Sequence, residues 1–229
     1  MIRARALVVS GLAVGFWVVN VQAQTPSRPD APRLVVSAGL VAARGYAIGA
    51  RSAELRRNST TAADPFTLFR TESTIDSAAG FDMRVAYALS RAFSVEAAAT
   101  FSRPSLGVRV FQDSEGAPET RASESIDQYT VEVSGLWQFP GRPLGAKARP
   151  YVVGGAGYLR QLHEDRVLAE TGQLGFGGGG VQYWLRRRPG KRAFGIRGEA
   201  CAVFRTRGID FEDKRRVYPR LSALALVGF

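Results

Sequence analysis

Residues 129–139 read YTVEVSGLWQF. Tyr129, Val131, Val133, Trp137 and Phe139 fall on one side of this stretch. Thr130, Glu132, Ser134 and Gln138 fall on the other, because side chains of a strand alternate with period two. The same division recurs in FSVEAAATF (93–101), where Phe93, Val95, Ala97, Ala99 and Phe101 oppose Ser94, Glu96 and Thr100. In FGIRGEACAVF (194–204), Phe194, Ile196, Ala200, Ala202 and Phe204 oppose Arg197 and Glu199. In FDMRVAYAL (81–89) the apolar side is Phe81, Met83, Val85, Tyr87 and Leu89, against Asp82 and Arg84. Four segments with this alternation point to β-structure throughout.

Four less cleanly patterned strands are expected at 33–42, 150–160, 172–186 and 218–229, giving eight. The last ends RLSALALVGF, with Leu221, Ala223, Ala225, Val227 and Phe229 on one face. An ordered aromatic terminus implies a strand tied into a sheet. The connections alternate in length. Those at 43–73 and 104–125 are long, and those at 161–171 and 206–217 are polar or charged loops. The ones at 90–92, 140–149 and 187–192 are short turns. Tight turns at one end and longer loops at the other are the layout of an antiparallel up-and-down transmembrane β-barrel.

The apolar faces carry aromatics near both ends: Tyr129 with Phe139, Phe93 with Phe101, Phe194 with Phe204. Their separation of eight to ten residues matches aromatic girdles at the two membrane interfaces. A soluble barrel would carry the opposing charges on its outside, so the charges alone do not orient the faces. Aromatic ends, alternating loop lengths and export together place the apolar face in lipid.

Export is read from the N-terminus. MIRARALVVSGLAVGFWVVNVQAQ has Arg3 and Arg5, an apolar run over 6–19, and small residues at Val21 and Ala23. This is the order of a signal peptide, 1–23, cut after Ala23. A membrane-anchoring helix would need about 20 apolar residues; this run is shorter, and the turn-rich TPSRPDAPR follows. A short linker (24–32) and the barrel (33–229) complete the organisation.

The formal charge is +11, or +9 without Arg3 and Arg5. The arginines are scattered or lie in turns such as RRRPGKR (186–192), and no recognition helix presents them to nucleic acid. They are read as solvated turns and neighbours of anionic lipid. Cys201 is the single cysteine, so no intrachain disulfide can form.

The motif PYVVGGAGY (150–158), the even number of strands and the terminal Phe229 with apolar residues at alternate positions before it carry a family resemblance. The chain resembles the small outer-membrane β-barrel proteins of Gram-negative bacteria, the opacity-type and outer membrane protein β-barrel domain families. That resemblance implies a monomer in the outer membrane, in contact with outer-membrane lipid and lipopolysaccharide. It also implies that Phe229 is the signal read by the outer-membrane assembly machinery. The family includes adhesins, stability proteins and narrow pores. A structural or surface-interaction role is therefore expected first, a narrow passive channel second and a lipid-modifying enzyme last.

No catalytic, cofactor-binding or metal-binding residue is expected. GFGGGG (175–180) satisfies G-x-G-x-x-G, and Glu199 follows roughly 20 residues on; yet strand-like VQYWL follows and no helix opens there. The glycines are read as letting strands coil and bend closely. His163 lies in a polar loop beside Glu164 and Asp165, with no evident serine in register to act as a nucleophile. One histidine and one cysteine give no transition-metal set. Asn58-Ser59-Thr60 matches a glycosylation acceptor but is one short motif in a long polar loop. The residues singled out are Asp82, Arg84, Glu96, Glu132, Arg197 and Glu199. They are expected to meet inside an eight-stranded lumen, narrow enough for side chains to fill, and to satisfy one another there. Glu132 and Arg197, from the fourth and seventh strands, are expected to meet across it.

Overall fold

A computed structural model describes residues 32–55, 66–139, 147–163, 168–186, 192–206 and 215–229. The expected signal peptide, the linker apart from Pro32, the 58–60 triplet, Glu164 and Asp165, and most of the 187–192 turn lie outside the described residues. The strands in the first half of the chain are β1 (Leu34–Ala43), β2 (Tyr46–Leu55), β3 (Phe66–Ile75), β4 (Ala78–Ala88), β5 (Phe93–Ser102) and β6 (Ser105–Phe111). The remainder are β7 (Thr120–Ser125), β8 (Asp127–Gln138), β9 (Ala148–Leu162), β10 (Ala169–Arg186), β11 (Ala193–Arg205) and β12 (Arg216–Gly228).

Eight of these close into an antiparallel barrel in the order β1-β12-β11-β10-β9-β8-β5-β4. Closure is made by β1, which pairs with β4 on one side and β12 on the other, so that Ala38 lies opposite both Met83 and Ala225. The chain end completes the seam. The Phe229 N–H donates to the Leu34 carbonyl at 2.8 Å, and the Arg33 N–H to the Phe229 carbonyl at 3.0 Å. The ordered terminus is thus the strand that shuts the barrel, which leaves no open edge within it.

The faces are inverted relative to a soluble barrel. Phe81 is 66 % exposed and Met83 63 %, while the intervening Asp82 is 1 % exposed. Leu221, Val131, Val133, Ile196 and Phe194 join the outward belt, and charged residues fill the inside. Only lipid makes that arrangement favourable, because a closed barrel satisfies its backbone and presents apolar side chains to the hydrocarbon.

The two connections expected as loops at 43–73 and 104–125 contain strands. They form a four-stranded sheet of order β2-β3-β6-β7. That order repeats β1-β4-β5-β8, the half of the barrel from which the strands continue. The breaks fall at Arg44–Gly45, Asp76–Ser77, Arg103–Pro104 and Ile126, and backbone bonds bridge them. Arg44 N–H donates to the Pro219 carbonyl at 3.1 Å, Asp76 N–H to Ser105 at 2.9 Å and Ile126 N–H to Pro104 at 2.9 Å. Gly45 makes the first break possible: a Cβ there would press on the Ile75 carbonyl and the Asp76 backbone, a close approach that only glycine permits. Ile48, Ile75, Leu106 and Ile126 bury their side chains together at the base of the sheet, with Tyr46 and Val108 against them. This small core backs the sheet where it leaves the barrel.

Candidate functional site

The lumen is built from the inward positions of all eight barrel strands, and its centre is ionic. Arg84 on β4 is the hub. Its guanidinium donates to Asp82 (Nη2 to Oδ2, 2.6 Å), to Glu96 (3.2 Å), to Glu199 (2.9 Å) and to the Ser222 hydroxyl (3.2 Å). Arg197 on β11 donates to Glu96 Oε2 at 2.5 Å and also pairs with Glu199. Asp82, Arg84, Glu96, Arg197 and Glu199 are each no more than 5 % exposed. Charges held this far from water persist only when paired and hydrogen bonded. These five residues lie in one cluster.

Tyr151 on β9 completes the cluster. Its hydroxyl accepts from Arg197 Nε at 2.5 Å and donates to Glu199 Oε2 at 2.8 Å, while the Arg197 guanidinium lies 4.7 Å from the ring centre. The hydroxyl reaches that point because Gly180 faces it from β10. A Cβ at Gly180 would press on the Tyr151 hydroxyl and the Gly198 carbonyl. The glycines at 175–180 thus lie inside a strand and make room for a lumen side chain; no helix follows them.

Glu132 is placed differently from the expectation. It forms a two-pronged ion pair with Arg220 on β12, with Arg220 Nη2 to Oε2 at 2.9 Å, and Arg197 is committed to Glu96 and Glu199. The Arg220 guanidinium also lies 4.8 Å from the Phe176 ring centre. Above this pair Leu159, Leu174, Val203 and Tyr218 pack as an apolar layer. Arg220, Tyr151 and Ser222 are among the lumen residues that sequence reasoning omitted from the network. Arg220 was visible on the inward face of the last strand, but nothing in the sequence named its partner.

The mouth beneath the four-stranded sheet is closed by a second set. Tyr46 of β2 stacks on Tyr218 with ring centres 5.1 Å apart. Arg205 donates to the Tyr46 hydroxyl and, at 2.7 Å, to Gln161 Oε1, while Gln161 Nε2 donates to Gln128 Oε1 at 2.9 Å. Arg216 donates to the Ile48 carbonyl, and His163 Nδ1 lies 2.9 Å from Glu124 Oε1 on β7. Both outer strands of the sheet are therefore fastened to the adjoining barrel strands that do not continue into it, β2 to β11 and β12, and β7 to the end of β9. Higher on the sheet, Glu119 accepts from Arg109 at 2.6 Å and from Arg121 at 2.7 Å. Those two hydrogen bonds, Arg109 first, hold its carboxyl down at about 2, because they favour the ionised form. Among the described residues no group of three or more His, Cys, Asp or Glu side chains is placed to hold a metal ion.

No protein-family model and no curated protein matches the chain. Solved structures do. Neisserial surface protein A superposes with a TM-score of 0.52 at 15 % identity, over 87 % of this chain and 99 % of that one. Ail, the attachment invasion locus protein of Yersinia pestis, solved with the heparin analogue sucrose octasulfate, gives 0.44 at 13 % identity over 85 % and 96 %. The outer membrane protein AlkL, solved in lipid bilayers, gives 0.32 at 16 % identity over 92 % and 93 %. Closed eight-stranded topology, an outward apolar belt and the superposition on the neisserial protein lead to one conclusion: this chain has the fold of the small outer-membrane β-barrel proteins.

Proposed function

We propose that the protein is an outer-membrane surface-interaction or envelope protein, in which a sealed barrel carries the β2-β3-β6-β7 sheet as its contact surface. One observation carries the reading: half of the barrel continues beyond the apolar belt as an ordered sheet, above a lumen crossed by paired charges. An ordered projection on a rigid scaffold is where binding residues concentrate. The role is non-enzymatic, and His163, engaged with Glu124, is a tether of the sheet. Outer-membrane lipid and lipopolysaccharide surround the belt, Phe229 serves as the signal for the assembly machinery, and the protein acts as a monomer.

The test replaces 46–75 and 105–125 by short turns and compares adherence and envelope integrity of cells carrying either form. Loss of adherence or of detergent resistance with unchanged barrel levels is the expected result, and identical behaviour of the two would sink the reading. Protease added to intact cells should cut within 51–70 or 112–124; cuts at 142–147 or 187–192 would invert the topology. Planar bilayers separate the channel alternative. Small, infrequent conductance steps are expected, and large steady channels would put passive transport first. Turnover of lipid A or phospholipid that is lost on His163→Ala would instead make the protein an enzyme.

A further inference from the structure

At the turn end of the lumen, away from the sheet, lies a cavity of about 30 Å³. Seating one water takes roughly 10–15 Å³, so the space suits one or two waters or a single monatomic ion. Its polar lining includes Arg91, Arg149, Arg197, Ser90 and Trp184, with Gln138 and Gln182 alongside, and no carboxylate is among the described residues that line it. Trp184 is 4 % exposed and its indole Nε1 is buried with no hydrogen-bond acceptor among the described residues. An indole N–H is a donor only, and leaving one buried without a partner is costly.

The neighbouring groups also have hydrogens to give. Ser90 Oγ already accepts from the Phe93 N–H at 3.0 Å and the Ala92 N–H at 3.3 Å, which leaves its proton for a further acceptor. Gln138 Nε2 is used on Gln182 Oε1 at 3.2 Å, so the Gln182 amide N–H groups remain. Arg197 is balanced by Glu96 and Glu199, so the guanidiniums of Arg91 and Arg149 bias the potential to positive. A donor-rich, positively charged niche of this size selects for a small anion over a cation.

We propose that this cavity binds one small inorganic monoanion of halide size, held by the Trp184 indole N–H with Arg149 and Arg91 supplying the field. The full chain with Trp17 and Trp137 replaced by phenylalanine leaves Trp184 as the one indole, reporting on its own ligand. Iodide should quench it along a saturating curve at constant ionic strength, whereas caesium should quench shallowly and linearly. Arg149→Gln should weaken the saturating component about tenfold, the scale of one charge-assisted hydrogen bond. Should that variant fail to assemble, Arg91→Gln, in an exposed turn, should weaken it in the same direction. Linear iodide quenching, or saturation indifferent to both arginines, would overturn the proposal.

Discussion

Tyr46 and Tyr218 lie ring on ring, with planes inclined by 16°, and so join the external sheet to the barrel wall. An aromatic pair of this kind contributes about 0.5–1.5 kcal/mol beyond its area. Tyr46→Ala should therefore free the base of β2 without opening the barrel. Hydrogen exchange should quicken at the β2 and β3 amides and stay slow in β11 and β12; equal protection in both forms would mean that the sheet is held elsewhere.

Glu132 and Arg220 form an ion pair of the lumen that stands apart from the Arg84 and Arg197 cluster. Removing either partner leaves a buried charge alone, at a cost of about 3–5 kcal/mol. Glu132→Leu and Arg220→Leu should each lower the urea midpoint of the refolded protein. The double replacement should recover much of the loss, because it removes both desolvated charges. A double variant no better than the sum of the singles would show that the pair is not coupled.

Phe229 contributes in two ways that different variants separate. Its backbone closes the seam with Arg33 and Leu34, and its ring lies 5.2 Å from the Arg192 guanidinium. Phe229→Ala keeps the backbone bonds and removes the aromatic. If Phe229 is the assembly signal, this variant should refold normally in detergent yet reach the outer membrane in lower amount. Wild-type membrane levels would reduce Phe229 to a structural seam.

Glu119 gives the sheet an acid limit. Its carboxyl is held at about 2 by Arg109 and Arg121, below its usual range. The sign follows from the depressed value: the bonds to Glu119 support the β6–β7 hairpin above the ordinary carboxylate range, and this support fades as pH falls toward 2. Amide exchange in β7 should rise relative to β8 between about pH 4.5 and pH 2. Glu119→Gln should abolish that dependence, and a change in β7 persisting in the variant would assign it to another group.

Much of this architecture can be read in the sequence, and the reason is the barrel itself. Lipid on one side and a packed lumen on the other force strict alternation, so 81–89, 129–139 and 194–204 reveal both strand and facing. The external sheet lacks that constraint. TRASES in β7 and FTLFRTESTI in β3 meet solvent on much of both faces, and their few apolar contacts blur the period. The lumen shows the same boundary. Alternation places Asp82, Arg84, Glu96, Arg197 and Glu199 inside, but which partner Glu132 meets depends on the stagger of strands that are not neighbours. Tyr151 was hidden for a related reason: in PYVVGGAGY it reads as one more apolar strand residue, and only its reach across Gly180 makes it polar in use.

The continuation of β1, β4, β5 and β8 into the external sheet also sets how the protein bears load. A pull on the sheet along the strands is carried directly by covalent backbone into the barrel. There the ladder bonds lie across the pull, so many must yield together rather than one after another. The β9–β12 half has no strand in line with the pull; load reaches it sideways, through the β1–β12 and β8–β9 ladders and the side-chain fastenings at Tyr218, Arg216 and His163. The wall is therefore mechanically two-sided: one flank is a set of cables running into the membrane, and the other braces it from the side.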